Sequence, residues 1–415
     1  MTRTPAPTHA DNTTMRAAYA ELPALAGRAF LPIAFVARLP FSMIAIGVML
    51  LVTDATGSIA TGGIASAASA LGTAVGGPTQ GALADRFGQR VVLLVSVPAQ
   101  TLALVALVVT VSRGEISTAL VAAALAGALA PQIGPLARGR WMGMARGKPR
   151  ALAAAMSYES TADEVSFVLG PALVGILSAA ASPSAALLTA AAVTLVFGLA
   201  FALHPTADAA RTHRLAGAVH PGSSGVRALL PLAVPVVGMM AMGAFFGSTQ
   251  AAVTAFTREA GSPDAAGLVY AVMGLGSAVT ALATVALPDS LSQRGRWIAF
   301  SAGLSVLAVA TAGLATGVGI AGLSVSLLLL GLFVGPVMVT IFTVGSNRAP
   351  VGRGAVAMTS LASANVVGVA AGSAVGGIAG ESSGATAAFW IPALCATALL
   401  VIGVASQRRP PSGAR

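Results

Sequence analysis

The chain reads Gly81-Ala82-Leu83-Ala84-Asp85-Arg86-Phe87-Gly88-Gln89-Arg90 between two long apolar runs. Gly88 lets the backbone turn within a few residues, and Gly81 lets a second helix come close. Asp85 can sit against a helix N-terminus, where the helix dipole favours negative charge, and beside Arg90 or Arg138. A short basic turn with apolar helices on both sides is expected to join two membrane-spanning segments on the cytoplasmic side, where basic loops collect.

The rest of the chain supports that reading. Hydrophobic residues make up 56% of it and charged residues 9%, against roughly a quarter charged in a soluble domain. A hydrocarbon core of about 30 Å needs roughly 20 apolar residues per helix. Runs of that kind fall near 29–52, 58–82, 91–112, 116–137, 151–180 and 184–203. Six more fall near 228–256, 265–287, 298–316, 319–344, 354–379 and 385–406. The expectation is an all-α membrane protein of twelve transmembrane helices in two pseudo-symmetric six-helix bundles, 29–203 and 228–406. Residues 1–28 and 407–415 are expected as cytoplasmic tails, and the polar stretch 204–227 as a cytoplasmic linker. With the N-terminus inside, 20 basic residues fall in cytoplasmic segments, Arg138 and Arg140 among them, and only Arg113 and Arg258 in outer loops.

The two halves also match each other. Met156, Ala162, Asp163, Gly170 and Gly175 fall opposite Met358, Ala364, Asn365, Gly372 and Gly377 at a near-constant offset. Asp85, Gln89 and Arg90 fall opposite Asp289, Gln293 and Arg294. Parallel six-helix repeats place a solute site near the midplane, between the halves.

The 81–90 stretch resembles the signature of the major facilitator superfamily, G-x-x-x-D-R-x-G-R-[RK]. Gly81, Asp85, Arg86, Gly88 and Arg90 match, and Gln89 departs where the family has a basic residue. The resemblance implies secondary transport by rocking of two halves, with this loop latching the outward-facing state. Gly170-Pro171 through Gly175 is similar to the glycine-proline motif in the fifth helix of proton-coupled antiporters of the same superfamily.

Four charged residues, Arg38, Glu159, Asp163 and Glu164, lie well inside the expected helices. Each costs roughly 2.5–3.5 kcal/mol at the bilayer centre if unpaired. Glu159 and Asp163 are four apart on one helix face, and Glu164 points about 100° away. Arg38 and Glu159 both enter from the cytoplasm and reach a depth of about 12–14 Å, so they can pair. Asp163 or Glu164 is then the candidate to carry a proton or meet a cationic solute, with Tyr158 beside them. The second half offers Asn365 and Gln250 as its main buried polar groups, with Met239, Met240, Met242, Phe245 and Phe246 as an apolar wall.

No Walker A run, Gly-Xaa-Ser-Xaa-Gly elbow or His-Glu-Xaa-Xaa-His occurs in the chain, and its four histidines fall in tail or linker. No enzyme activity, metal or cofactor is therefore expected. The arginines form no stripe interleaved with stacking aromatics, so nucleic acid is not an expected partner. The expected protein is a monomer of the cytoplasmic membrane of a bacterium, taking protons and one small organic solute as partners. Efflux of an amphipathic or cationic drug-like or secondary-metabolite compound is the leading expectation. Import of a nutrient and a non-transporting receptor or scaffold are the alternatives.

Overall fold

The computed structural model describes residues 10–209, 226–262, 265–288, 290–314, 317, 319–350 and 352–406, and every regular element among them is helical. In chain order the α-helices are α1 (Ala10–Ala26), α2 (Phe30–Thr56), α3 (Ile59–Phe87), α4 (Gln89–Ser112), α5 (Ile116–Ala128), α6 (Ile133–Met144), α7 (Pro149–Ala180) and α8 (Pro183–Leu203). After residues 210–225 come α9 (Ala233–Glu259), α10 (Ala266–Ala283), α11 (Gln293–Leu314), α12 (Ile320–Arg348) and α13 (Gly354–Ala405).

Local chemistry sets the boundaries. The Gly57 C-cap takes a left-handed conformation, φ 66°, and Ser58 Oγ then accepts from Thr61 N at 3.2 Å to start α3. Gly88, at φ 96°, lies between α3 and α4 with no loop residue beside it. Ser182 caps α8 by accepting from Ala185 N at 3.1 Å. Leu71, Val75, Leu102, Leu268 and Val306 point outward, as a lipid-facing surface requires. One buried apolar cluster is drawn from residues 232–399, and the other three from residues 18–202 with Ala355 added.

Ten stretches are long and apolar enough to cross a membrane, against the twelve expected. The difference lies in two places. The 29-residue α3 is diluted by Gly, Ser and Thr and falls outside that set. The 52-residue α13 is one of the ten, although Gly384 inside it leaves helical geometry at φ 83°, ψ 173°.

Two further expectations change. The run 116–137 continues to Met144 as α5 and α6, interrupted at 129–132, so Arg138 and Arg140 are not loop residues. Both are fully buried on α6. The expected N-terminal tail contains α1, which packs on α7 and on the 3-10 turn Thr284–Ala286. Most of the expected linker and the tail 407–415 lie outside the described residues, as do Asp289 and three of the four histidines, His204 being described.

Candidate functional site

The 81–90 loop reaches across to the far end of the sequence. Both Asp85 carboxylate oxygens accept backbone N–H bonds at the start of α13, Oδ1 from Ala355 at 2.9 Å and Oδ2 from Val356 at 2.8 Å. This places a negative charge on the positive end of a helix. Gly81 is needed at the same contact, because a Cβ there would stand 2.1 Å from Thr359 Oγ1 and 2.8 Å from the Val356 Cα. Asp85 was expected beside Arg90 or Arg138. Arg90 pairs with Asp208 at 3.4 Å, and Arg138 turns inward to Asp163. Arg86 lies over the Phe87 ring, 5.1 Å from its centroid.

Gln89, the departure from the signature, is buried and donates to the Leu136 carbonyl at 3.1 Å. Its Oε1 accepts from Arg140 Nε at 2.9 Å, and Arg140 Nη1 bonds the Phe201 carbonyl and Thr206 Oγ1. A basic side chain at 89 would face that guanidinium, whereas glutamine supplies the acceptor.

A second set of contacts closes the same end of the molecule. The Tyr19 hydroxyl of α1 donates to the Leu282 carbonyl at 2.8 Å and lies 3.0 Å from Ser157 Oγ on α7. Burial pushes this phenol up to about 12, against the lowering effect of Ser157, so it stays a donor. Ser157 Oγ in turn donates to the Ala281 carbonyl, and Thr161 Oγ1 donates to the Ala278 carbonyl at 3.3 Å. Residues 157–161 of α7 are therefore tied to α10.

Deeper in, charges converge. Arg38 on α2 bonds Glu159 Oε2 through Nη2, and through Nη1 it donates to the Glu159 carbonyl and to Asp163 Oδ1 at 3.0 Å. Glu159 Oε1 accepts from Trp141 Nε1 at 2.9 Å. Arg138 Nη2 donates to Asp163 Oδ2 at 2.7 Å, and its guanidinium lies 3.7 Å over the Phe342 ring of α12. Asp163 thus bridges two arginines. Glu164 points the other way, towards Ser277 and Tyr270 of α10. Its Oε1 has no hydrogen-bond partner, and among the described residues no cation pairs with it.

The family model of the Major Facilitator Superfamily matches residues 30–363. The chain belongs to that superfamily. Solved structures agree in fold. The human organic anion transporter MFSD10 (TETRAN) is 20% identical with a TM-score of 0.68, covering 91% of this chain and 99% of that one. The fucose:proton symporter FucP of E. coli is 14% identical with a TM-score of 0.66, covering 91% and 99%. A bacterial homologue of the iron transporter ferroportin, solved outward-facing, is 14% identical with a TM-score of 0.67, covering 91% and 98%. No curated protein sequence matches significantly. The chain is thus a multi-pass membrane protein with a solute-transporter fold, a transporter rather than an enzyme.

In this superfamily member a cavity of about 70 Å³ lies beside the charge cluster. Arg38, Ser42, Gln132, Gly134, Arg138 and Asp163 line one wall; Met239, Met338, Phe342 and Asn365 line the other. Asn365, at the repeat position of Asp163, therefore shares its cavity. Other candidates do not line it, Glu159 and Glu164 among them. The Tyr158 hydroxyl turns to the Leu31 carbonyl at 3.3 Å, on the α2 side. Gln250 lines a separate crevice with Arg258, Glu259 and Glu381. Met240 is exposed, while Met242 and Phe245 are buried in the apolar core. Gly170 packs against Ser42, and α7 runs unbroken through Pro171; nothing lies within 4 Å of a Cβ at Gly175. Sequence reasoning missed Arg138, Trp141 and Gln132 as parts of this site. Its available signal was Ile133-Gly134-Pro135, which can start a second helical segment and carry Arg138 inward.

Proposed function

We propose that this transporter moves a small organic solute by alternating access, coupled to protons and working outward as an exporter. The reading takes twelve crossings, two halves spanning 29–203 and 228–406, a 204–227 linker and both termini in the cytoplasm of a bacterial cell. The end closed by Asp85, Tyr19 and Ser157 is then cytoplasmic, and the solute site is the cavity beside Arg138 and Asp163. The observation that carries it is the unequal treatment of three acids on α7. Glu159 and Asp163 are neutralised by arginines, whereas Glu164 sits in the α7–α10 seam without a counter-charge. A carboxylate ionised there is costly, and a carboxyl that must lose its proton before the seam can open links proton and conformational cycles. Export is supported by the glycine-proline stretch of α7, whose Gly170 allows close contact with Ser42 of α2.

The test is solute-dependent proton movement in liposomes holding the purified protein. A panel of amphipathic solutes is added under an imposed pH gradient, and a trapped pH dye is followed. Glu164→Gln is expected to abolish gradient-driven accumulation while solute exchange without a gradient survives. Accumulation at the native rate in Glu164→Gln removes this acid from the coupling. Accumulation only in the inward direction replaces export by import.

A further inference from the structure

Polar groups around the central cavity are unequally satisfied. Arg138 is fully buried, and only its Nη2 has a hydrogen-bond partner; Nε and Nη1 have none. Across the cavity, Asn365 Nδ2 is likewise unpartnered. Among the described residues lining this cavity, all three orphaned buried polar atoms are N–H donors. Buried donors are normally matched by acceptors, and leaving them unmatched is costly. A ligand rich in acceptors answers that mismatch.

Two independent features point to the same chemistry. The helix break at 129–132 sets the N-terminus of the twelve-residue α6 on the cavity wall, so the positive end of its dipole faces the same space as Arg138. Space is also kept open there. A Cβ on Gly134 would stand 3.0 Å from Asp163 Oδ1 and 3.5 Å from Arg138 Nη1. The Phe342 ring covers one face of the guanidinium, which leaves its free N–H groups as the points of attachment. A cation fits poorly, since both acids of the cluster are already bonded to arginines.

The geometry points to a carboxylate-bearing organic anion as the solute of this cavity. Its carboxylate is held by the Arg138 donors that Asp163 leaves open and by the Asn365 amide, with its apolar body against Met239 and Met338. Sharing one guanidinium between two carboxylates has a precedent in the same cluster, where Glu159 and Asp163 share Arg38. This replaces the cationic solute expected from sequence, and it rests on the transport reading only in taking the cavity as the solute site.

The test uses the full-length protein in lipid nanodiscs and three probes of one shape: 4-phenylbutyrate, 4-phenylbutyramide and 4-phenylbutylamine. Isothermal titration gives their affinities with no gradient present. The carboxylate is expected to bind about tenfold more tightly than the amide, as a charge-assisted bond to arginine implies, and the amine not at all. Arg138→Lys keeps the charge facing Asp163 but loses the planar donors, and should cut the preference to roughly twofold. Asn365→Ala should weaken the carboxylate alone by about fivefold. Equal affinity for carboxylate and amide, tighter binding of the amine, or no binding of any probe overturns the proposal. So does a preference unchanged in both variants. Because binding is read at equilibrium, such a failure leaves gradient-driven transport standing. A carboxylate preference in a protein that transports nothing overturns only the transport reading.

Discussion

Glu159 and Tyr158 are neighbours in sequence with opposite structural weight. Glu159 is fully buried and accepts from Arg38 and Trp141, so its charge serves to fix α2, α6 and α7 together. Replacing it with Gln keeps the shape but leaves Arg38 with Asp163 as its sole carboxylate. Breaking a buried pair from one side costs about 3–5 kcal/mol, so Glu159→Gln should lower the melting temperature of the detergent-solubilised protein markedly. Tyr158→Phe removes only a 3.3 Å bond to the Leu31 carbonyl and should cost no more than about 1 kcal/mol. Similar melting temperatures for the two variants would show that the cluster does not hold the helices. The Arg38–Glu159 contact was legible because equal depth on two helices follows from counting residues. The second arginine was not. A basic residue just past an apolar run reads as a loop residue, and only the break at 129–132 turns Arg138 inward.

Between elements, the longest reach of the 81–90 stretch joins α3 to α13. Asp85 makes two bonds to the first N–H groups of α13, 270 and 271 residues away in the chain. A side-chain cap of this kind is worth about 0.5–2 kcal/mol, enough to shift a two-state equilibrium several-fold. Asp85→Ala should therefore populate the state opened at this end. Spin labels at Arg146 and Leu291, both exposed and on different halves, report the change in a Cys395→Ser background. The expected result is a longer second distance whose share grows in Asp85→Ala, and an unchanged distribution would show that the cap does not weight the states. From residue chemistry alone the acid calls for a helix N-terminus, but no local pattern encodes which one over that separation. Helix α1 escaped notice for a related reason. Seventeen residues with little amphipathic character form a helix here through docking on α7 and the seam, with Tyr19 in contact with both sides.

For the whole molecule, the strongest sequence argument was the distribution of arginines, and it weakens slightly in the structure. Arg138 and Arg140 leave the cytoplasmic count for the bundle interior, which takes the bias from 20 to 18 against two outer residues. The bias still favours the expected orientation, because a miscounted helix would swap every loop downstream of it. The break at Gly384 has the same consequence: unless the chain reverses there, the two ends of α13 lie on opposite sides of the bilayer. Orientation is therefore testable at a few exposed positions. Asp54 lies in the last turn of α2, and Lys148 precedes α7. Single cysteines at these sites in a Cys395→Ser background should react differently with a membrane-impermeant maleimide on intact cells. The cysteine at 54 should label at once, and the one at 148 only after permeabilisation. A third cysteine at Ser382, beside the Gly384 break, should behave like position 54 if α13 crosses twice. Labelling of 54 and 148 from one side would undo the helix count within the first half, because α3, α4 and the α5–α6 pair must together make an odd number of crossings between them. Protection of 382 alone would instead confine the error to α13.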